Sequence, residues 1–152
     1  MAQETQFKVA EVKVSYKADY KITDRPKISQ SSEGYALLKQ QWDSNRIELV
    51  EEFKIILLNT SNRVLGIADI SRGGVSGTLI DPKIVFAIAL KTNSSKIILS
   101  HNHPSGNLQP SNADIVLTKR LKDGGKLLDI EVCDHIIISN YGYYSFADEC
   151  MM

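Results

Sequence analysis

From Phe7 to Lys17 the chain reads FKVAEVKVSYK, and its apolar and polar positions alternate. A period of two predicts a strand with one face buried. The stretch KITDRPKISQ that follows is polar, and Pro26 excludes a regular strand or helix through it. Between Ser31 and Trp42 the apolar residues Tyr35, Leu38 and Trp42 recur at helical spacing, which predicts a short amphipathic helix, weakened by Gly34. EEFKIILLNTSNRVLGIADI then reads as two strands joined at Thr60 to Arg63, and SRGGVSG as a glycine-rich loop.

DPKIVFAIALKTN begins like a helix: Asp81 can cap it, and Pro82 suits a first position where no N–H is needed. Ile84, Phe86, Ile88 and Leu90 make this helix apolar enough to expect deep burial. KIILS, residues 96–100, is a short continuous apolar run, as in a central strand, and it leads directly into HNHPSG. PSNADIVLTKRLKDGG predicts a second helix, opened by Ser111 and ended by Gly124 and Gly125. LLDIEVCDHIIIS supplies one long strand or two short ones, and NYGYYSF a turn and a last strand. Helices and strands interleave without strict alternation. The fold class expected is α/β, a mixed central sheet flanked by helices, with residues 1–30 as a strand-and-connector extension and 31–152 as the main domain.

Composition narrows the function. The chain has 152 residues, 43% of them hydrophobic and 24% charged, enough for one domain with a substantial core. Lysine plus arginine and aspartate plus glutamate number 18 each, so no global field draws the protein toward DNA or an acidic membrane. No apolar run approaches the roughly 20 residues that span a bilayer, and MAQETQFKVA lacks the layout of a secretory signal. Two cysteines, Cys133 and Cys150, make no disulfide framework. A cytoplasmic protein with reduced thiols is expected.

Candidate chemistry concentrates in SHNHPSGNLQPSNAD, which holds two of the chain's three histidines. In extended chain, residues i and i+2 point to one side, so His101 and His103 can face a common point while Asn102 faces away. The end of a central strand is where α/β proteins place their chemistry. Two imidazoles leave a zinc site incomplete. Asp114, in the first turn of the helix opened by Ser111, offers a carboxylate that a loop of about ten residues can bring back to the strand end. Ser111 and Asp114 also fit a plain helix-capping pair, and from spacing alone both readings stand.

HNHPSG followed by PSNAD resembles the RadC-like branch of the JAMM (JAB/MPN) metalloprotease superfamily. The pattern there is an upstream Glu, then His-x-His-Pro, six residues, Ser, two residues and Asp; His101, His103, Pro104, Ser111 and Asp114 keep that spacing. PSNADIVLTKRL, DHIIIS and the closing YYSF carry the RadC-like character, so the likeness spans roughly residues 30–148. The resemblance implies a cytidine-deaminase-like JAB/MPN fold with His101, His103 and Asp114 as zinc ligands and Ser111 helping to hold an oxyanion. For the upstream Glu, the family's E-x-F-x-x-L-x-L resembles Glu51, Phe53, Ile56 and Leu58, which selects Glu51 as general base, with Glu52 second and Glu48 nearby. Alternation puts Glu51 and Glu52 on opposite faces, so only one can serve.

The activity implied is hydrolysis of a peptide or isopeptide bond in a protein substrate. The alternative is a non-catalytic module that assists DNA repair or recombination through a partner. In many members a helix-hairpin-helix module precedes this domain. The first 30 residues here read instead as strand and connector, and together with the even charge balance this argues against direct DNA contact. A zinc deaminase would carry H-x-E with P-C-x-x-C, and neither is present. His135 reads as a hydrogen-bonded structural residue, with a place near the site, beside Asp134, held in reserve. Cys133 reads as core, Lys119, Arg120 and Lys122 as a solvated face, and Arg72 with the glycine loop as either a tight turn or the flank of a substrate groove.

Overall fold

The apolar runs become the four long strands of one sheet: β1 (Glu52–Leu58), β2 (Val64–Arg72), β3 (Lys96–Asn102) and β4 (Glu131–Ile138), with a short β5 (Tyr143–Ser145) after them. This computed structural model describes residues 7–13, 15–74 and 78–152. Helix α1 (Ser31–Gln41) precedes β1, α2 (Pro82–Lys91) joins β2 to β3, and α3 (Asn112–Leu127) joins β3 to β4. The strand order is β2-β1-β3-β4-β5. β1 is antiparallel to β2 and β3, β3 and β4 are parallel, and β5 is antiparallel to β4. The expected α/β architecture with a mixed sheet and flanking helices is therefore the observed one. β3 lies at the centre, and α3 is the crossover its parallel partner requires.

Alternation divides the core in two. Phe53, Ile55 and Leu57 of β1 and Ile97 and Leu99 of β3 pack with Val85, Phe86 and Ala89 of α2 and Leu121 of α3. Ile56 and Leu58, with Ile98, Ile136 and Ile138, pack with Leu38 of α1 and Trp42. Both faces of the middle strands are covered, which is why their sequences run apolar without interruption.

Three local expectations change. In α2 the buried residues are Val85, Phe86 and Ala89, while Ile84 and Leu90 are 47% and 54% exposed; a helix lying on one face of a sheet buries a single stripe. α3 does not stop at Gly124 and Gly125 but continues to Leu127. Those glycines allow close packing: a Cβ on Gly125 would stand 2.3 Å from the Ile130 carbonyl oxygen, and one on Gly124 3.1 Å from the Phe86 ring. Gly34 has the same use in α1, where a Cβ would lie 3.0 Å from Cδ1 of Ile136.

The third change is at the N-terminal side. No strand forms among the described residues of 7–17, and Phe7, Val9 and Val12 are largely exposed; Val14 lies outside the described residues. Alternation makes a strand only where a ladder partner is in place, and the start of β2 is paired instead with the connector. Val64 N–H donates to Pro26 O (2.8 Å) and Ile28 N–H to Asn62 O (3.0 Å). The Tyr16 hydroxyl donates to Leu65 O on β2. Among the described residues no helix is long and apolar enough to cross a membrane.

Candidate metal centre

β3 extends through His101 and Asn102, so the first histidine sits in the sheet and the second just beyond it. The chain then turns at once, with Gly106 N–H donating to His103 O (2.9 Å) and Gly106 itself at φ 81°, a left-handed conformation that favours glycine. Nδ1 of His103 lies 2.5 Å from Asn107 O. A carbonyl only accepts, so Nδ1 carries the proton and Nε2 of the neutral ring keeps its lone pair.

α3 brings the next group. Ser111 is its N-cap: Oγ accepts from Asp114 N–H (3.1 Å), and Ser111 N–H donates back to Asp114 Oδ2 (2.8 Å). The capping pair and the convergence with the histidines, open as alternatives in the sequence, occur together. Asp114 Oδ1 lies 3.3 Å from His101 Nε2, and Oδ2 3.4 Å from His103 Nε2. The two histidine Nε2 atoms are 2.9 Å apart.

Glu51 stands immediately before β1. Its backbone is fixed by Gly73 and Gly74, donating to Gly74 O (3.0 Å) and accepting from Gly73 N–H (2.8 Å), while residues 75–77 of the expected glycine-rich loop lie outside the described residues. Its carboxylate is buried, with Oε1 3.7 Å from His101 Nε2. Glu52 faces the other way. Oε1 accepts from Nε of Arg46 (3.1 Å), and Oε2 is 3.6 Å from Nε of Arg72 and 3.9 Å from Nζ of Lys54. Arg72 thus pairs with the second carboxylate. Glu48 is at the surface, accepting from Nδ2 of Asn140 (2.7 Å).

Glu51, His101, His103 and Asp114 each offer a ligand atom, and these atoms all lie within 4.8 Å of one another. Donors about 2.0–2.1 Å from a tetrahedral ion stand about 3.3 Å from each other, close to the 2.9, 3.3 and 3.4 Å found among the two imidazoles and Asp114. Two neutral nitrogens with carboxylate oxygen form a donor set that suits a divalent ion such as zinc.

The electrostatics follow from packing. Burial raises the Glu51 carboxyl above the ordinary range, against the pull of His101 and His103. Burial would raise Asp114 too, but the His101 and His103 imidazoles beside its carboxylate hold it well below the usual carboxylate range. The Asp114 carboxylate beside it raises His103, against the effect of burial.

Three further residues surround this cluster. His135 on β4 is fully buried, with Nε2 2.7 Å from Nδ1 of His101, and Thr118 of α3 lies 2.6 Å from its Nδ1. Burial drives His135 well below the ordinary imidazole range. Asn102 does face away from the histidines, and there it holds the chain leading to Glu51. Its Nδ2 donates to Ile47 O (2.7 Å) and Val50 O (2.9 Å), and its Oδ1 accepts from Glu52 N–H (2.7 Å). Nothing in the spacing marks Thr118, whereas Asn102 is signalled by its place between the histidines. Asp134 turns to the chain end instead, accepting from Ser145 Oγ (2.7 Å) and Ala147 N–H (3.0 Å).

Comparison with known proteins agrees with this geometry. A family model described as "RadC-like JAB domain" matches residues 28–151. Proteins named "UPF0758 protein" are similar: that of Alkaliphilus metalliredigens is 52% identical over 102 residues, 67% of this chain and 44% of the relative. That of Flavobacterium johnsoniae is 48% identical over 99 residues, 65% of this chain and 43% of the relative. That of Clostridium kluyveri is 38% identical over 141 residues, 93% of this chain and 60% of the relative. The matches thus span less than two thirds of the length of these relatives.

Proposed function

Because the chain belongs to the RadC-like JAB domain family and gathers Glu51, His101, His103 and Asp114 within reach of one ion, we propose that it is a JAMM-type zinc-dependent hydrolase of amide bonds, peptide or isopeptide. His101, His103 and Asp114 would hold the ion. Zinc, when bound, acidifies water and polarises a carbonyl.

Glu51 accepts a proton from the attacking water and returns it to the leaving amine. Its raised pKa suits a group that must both take and release a proton near neutrality. Ser111 has one lone pair engaged by Asp114 N–H, so its own hydroxyl proton is left to donate to the developing oxyanion. The supporting observation is the division of labour between adjacent carboxylates. Glu51 borders the histidines, while Glu52 is held by Arg46, Lys54 and Arg72. A purely structural metal site needs no such unengaged base.

The test has two stages. Elemental analysis of protein purified without added metal finds stoichiometric zinc in the wild type and none in the His101→Ala, His103→Ala double variant. Cleavage of a peptide and isopeptide library is then lost in Glu51→Gln while the metal is retained. Zinc bound by a wild type that cleaves no member of the library overturns the hydrolase and favours a module acting through a repair or recombination partner. The even charge balance favours a protein over DNA as the molecule contacted.

A further inference from the structure

Thr118 and His135 form a hydrogen-bond chain that leads to His101 and has only one possible direction. Its fixed end is the backbone carbonyl of Asp114, which has no proton to give. Thr118 Oγ1 lies 2.6 Å from that oxygen, so the hydroxyl proton is committed to it. Oγ1 therefore meets His135 Nδ1, 2.6 Å away, as an acceptor, and Nδ1 carries the imidazole proton. The ring of His135 is wholly buried, stacked on Phe146 and edge-on to Phe53, and among the described residues no carboxylate pairs with it. A cation there would be uncompensated, so the ring is neutral and Nε2 is an acceptor. The group facing it at 2.7 Å is Nδ1 of His101, which must donate.

We propose that Thr118 and His135 are positioning residues: their one-way chain fixes the proton of His101 on Nδ1 and turns the lone pair of its Nε2 toward Glu51, His103 and Asp114. The metal consequence rests on the hydrolase reading above. The tautomer assignment rests on the hydrogen bonds and on the burial of the His135 ring away from any carboxylate partner among the described residues.

The arrangement also forms a closed circuit. Asp114 contributes its carboxylate to the cluster and its carbonyl to Thr118, and the path through His135 and His101 returns to Asp114 Oδ1 at 3.3 Å. Two candidate ligands on different elements, β3 and α3, are thereby oriented through a third element, β4. Outer-shell partners of this kind fix ring tautomer and orientation, and losing one lowers metal affinity about 10–100-fold.

The test reads the tautomer directly. Imidazole nitrogen NMR of the metal-free wild type shows His101 protonated at Nδ1. Thr118→Val, nearly the same shape without the hydroxyl, and His135→Phe, which lacks any acceptor, both shift His101 toward the Nε2-protonated form. A chelator-competition titration with zinc then finds affinity about 10–100-fold weaker in both. His135→Gln, whose amide oxygen can accept from Nδ1 of His101, restores the wild-type tautomer and affinity. Circular dichroism and urea unfolding select the variants that are folded.

The proposal is overturned if wild-type His101 carries its proton on Nε2. It is equally overturned if folded Thr118→Val and His135→Phe keep both tautomer and zinc affinity. A wild type that binds no zinc, yet shows the Nδ1 tautomer that Thr118→Val abolishes, upholds the chain and removes the hydrolase reading instead.

Discussion

Glu51 and Glu52 are adjacent in the chain and face opposite sides of the sheet. The first points its carboxylate toward His101 at 3.7 Å, and the second is bound by Arg46 at 3.1 Å on the face covered by α1. Strand geometry produces this divergence. One residue can therefore be matched by cations for stability while its neighbour, among the described residues, faces the imidazoles instead.

Replacing each carboxylate by its amide separates the two roles. Glu51→Gln keeps the metal and lowers the hydrolytic rate about 10²–10⁴-fold, the usual contribution of a general base. Glu52→Gln keeps the rate and loses about 1.5–3 kcal/mol of stability, because hydrogen bonds to a buried charge are removed. Steady-state kinetics beside urea unfolding of both variants checks the pair. Equal effects on rate and stability in the two would refute the division.

Asn102 is the support on which Glu51 depends. Asn102→Leu strips partners from Ile47 O, Val50 O and Glu52 N–H at once. Each buried polar group left unpaired costs about 1–3 kcal/mol, so the variant is destabilised by at least about 2 kcal/mol. Denaturant titration measures it, and a change below about 0.5 kcal/mol would show that the clamp is dispensable.

The helix glycines predict unequal responses. Gly125→Ala sets a methyl group 2.3 Å from a backbone oxygen that cannot move aside, whereas Gly34→Ala meets only the tip of the Ile136 side chain at 3.0 Å. Overpacking of the first kind costs about 1–3 kcal/mol. Thermal melts should place Gly125→Ala well below Gly34→Ala, and the reverse order would contradict the packing described.

Cys133 supplies a test in pH. Burial, with Glu131 and Asp134 nearby, pushes its thiol up to about 12, whereas Cys150 is exposed. A thiol that ionises at about 8.5 when unfolded and only near 12 when folded favours the folded state at neutral pH. That contribution is complete below the unfolded value and is lost as pH rises through the folded one. At pH 8 iodoacetamide should label Cys150 and spare Cys133, as read by mass spectrometry. The stability difference between wild type and Cys133→Val should stay flat up to about pH 8.5 and fall above it. Equal labelling of the two cysteines at pH 8 would contradict the burial of Cys133.

Much of this was legible in the chain because it depends on local rules. The continuous apolar runs marked β1, β3 and β4, Asp81 with Pro82 marked the start of α2, and Ser111 with Asp114 marked that of α3. The histidine pair was legible through alternation. What could not be read is what two distant segments decide together. Phe7 to Lys17 has the pattern of a strand, but its described residues have no ladder partner. Gly124 and Gly125 look like a helix stop and are needed for the approach of Phe86 and the Ile130 carbonyl. His135 read as structural, with proximity to the site in reserve, and its contact with His101 appears only once β3 and β4 are paired.

The crossover described above also governs when the cradle can exist. Asp114 rides on the helix that links two parallel strands, and such strands join late because the loop between them must close before any contact rewards it. His101 and Asp114 are thus strangers in the nascent chain. A divalent ion encountering that chain finds scattered ligands and no cage, so its capture should register completed assembly rather than guide it, and metal uptake should lag behind helix formation in a refolding experiment.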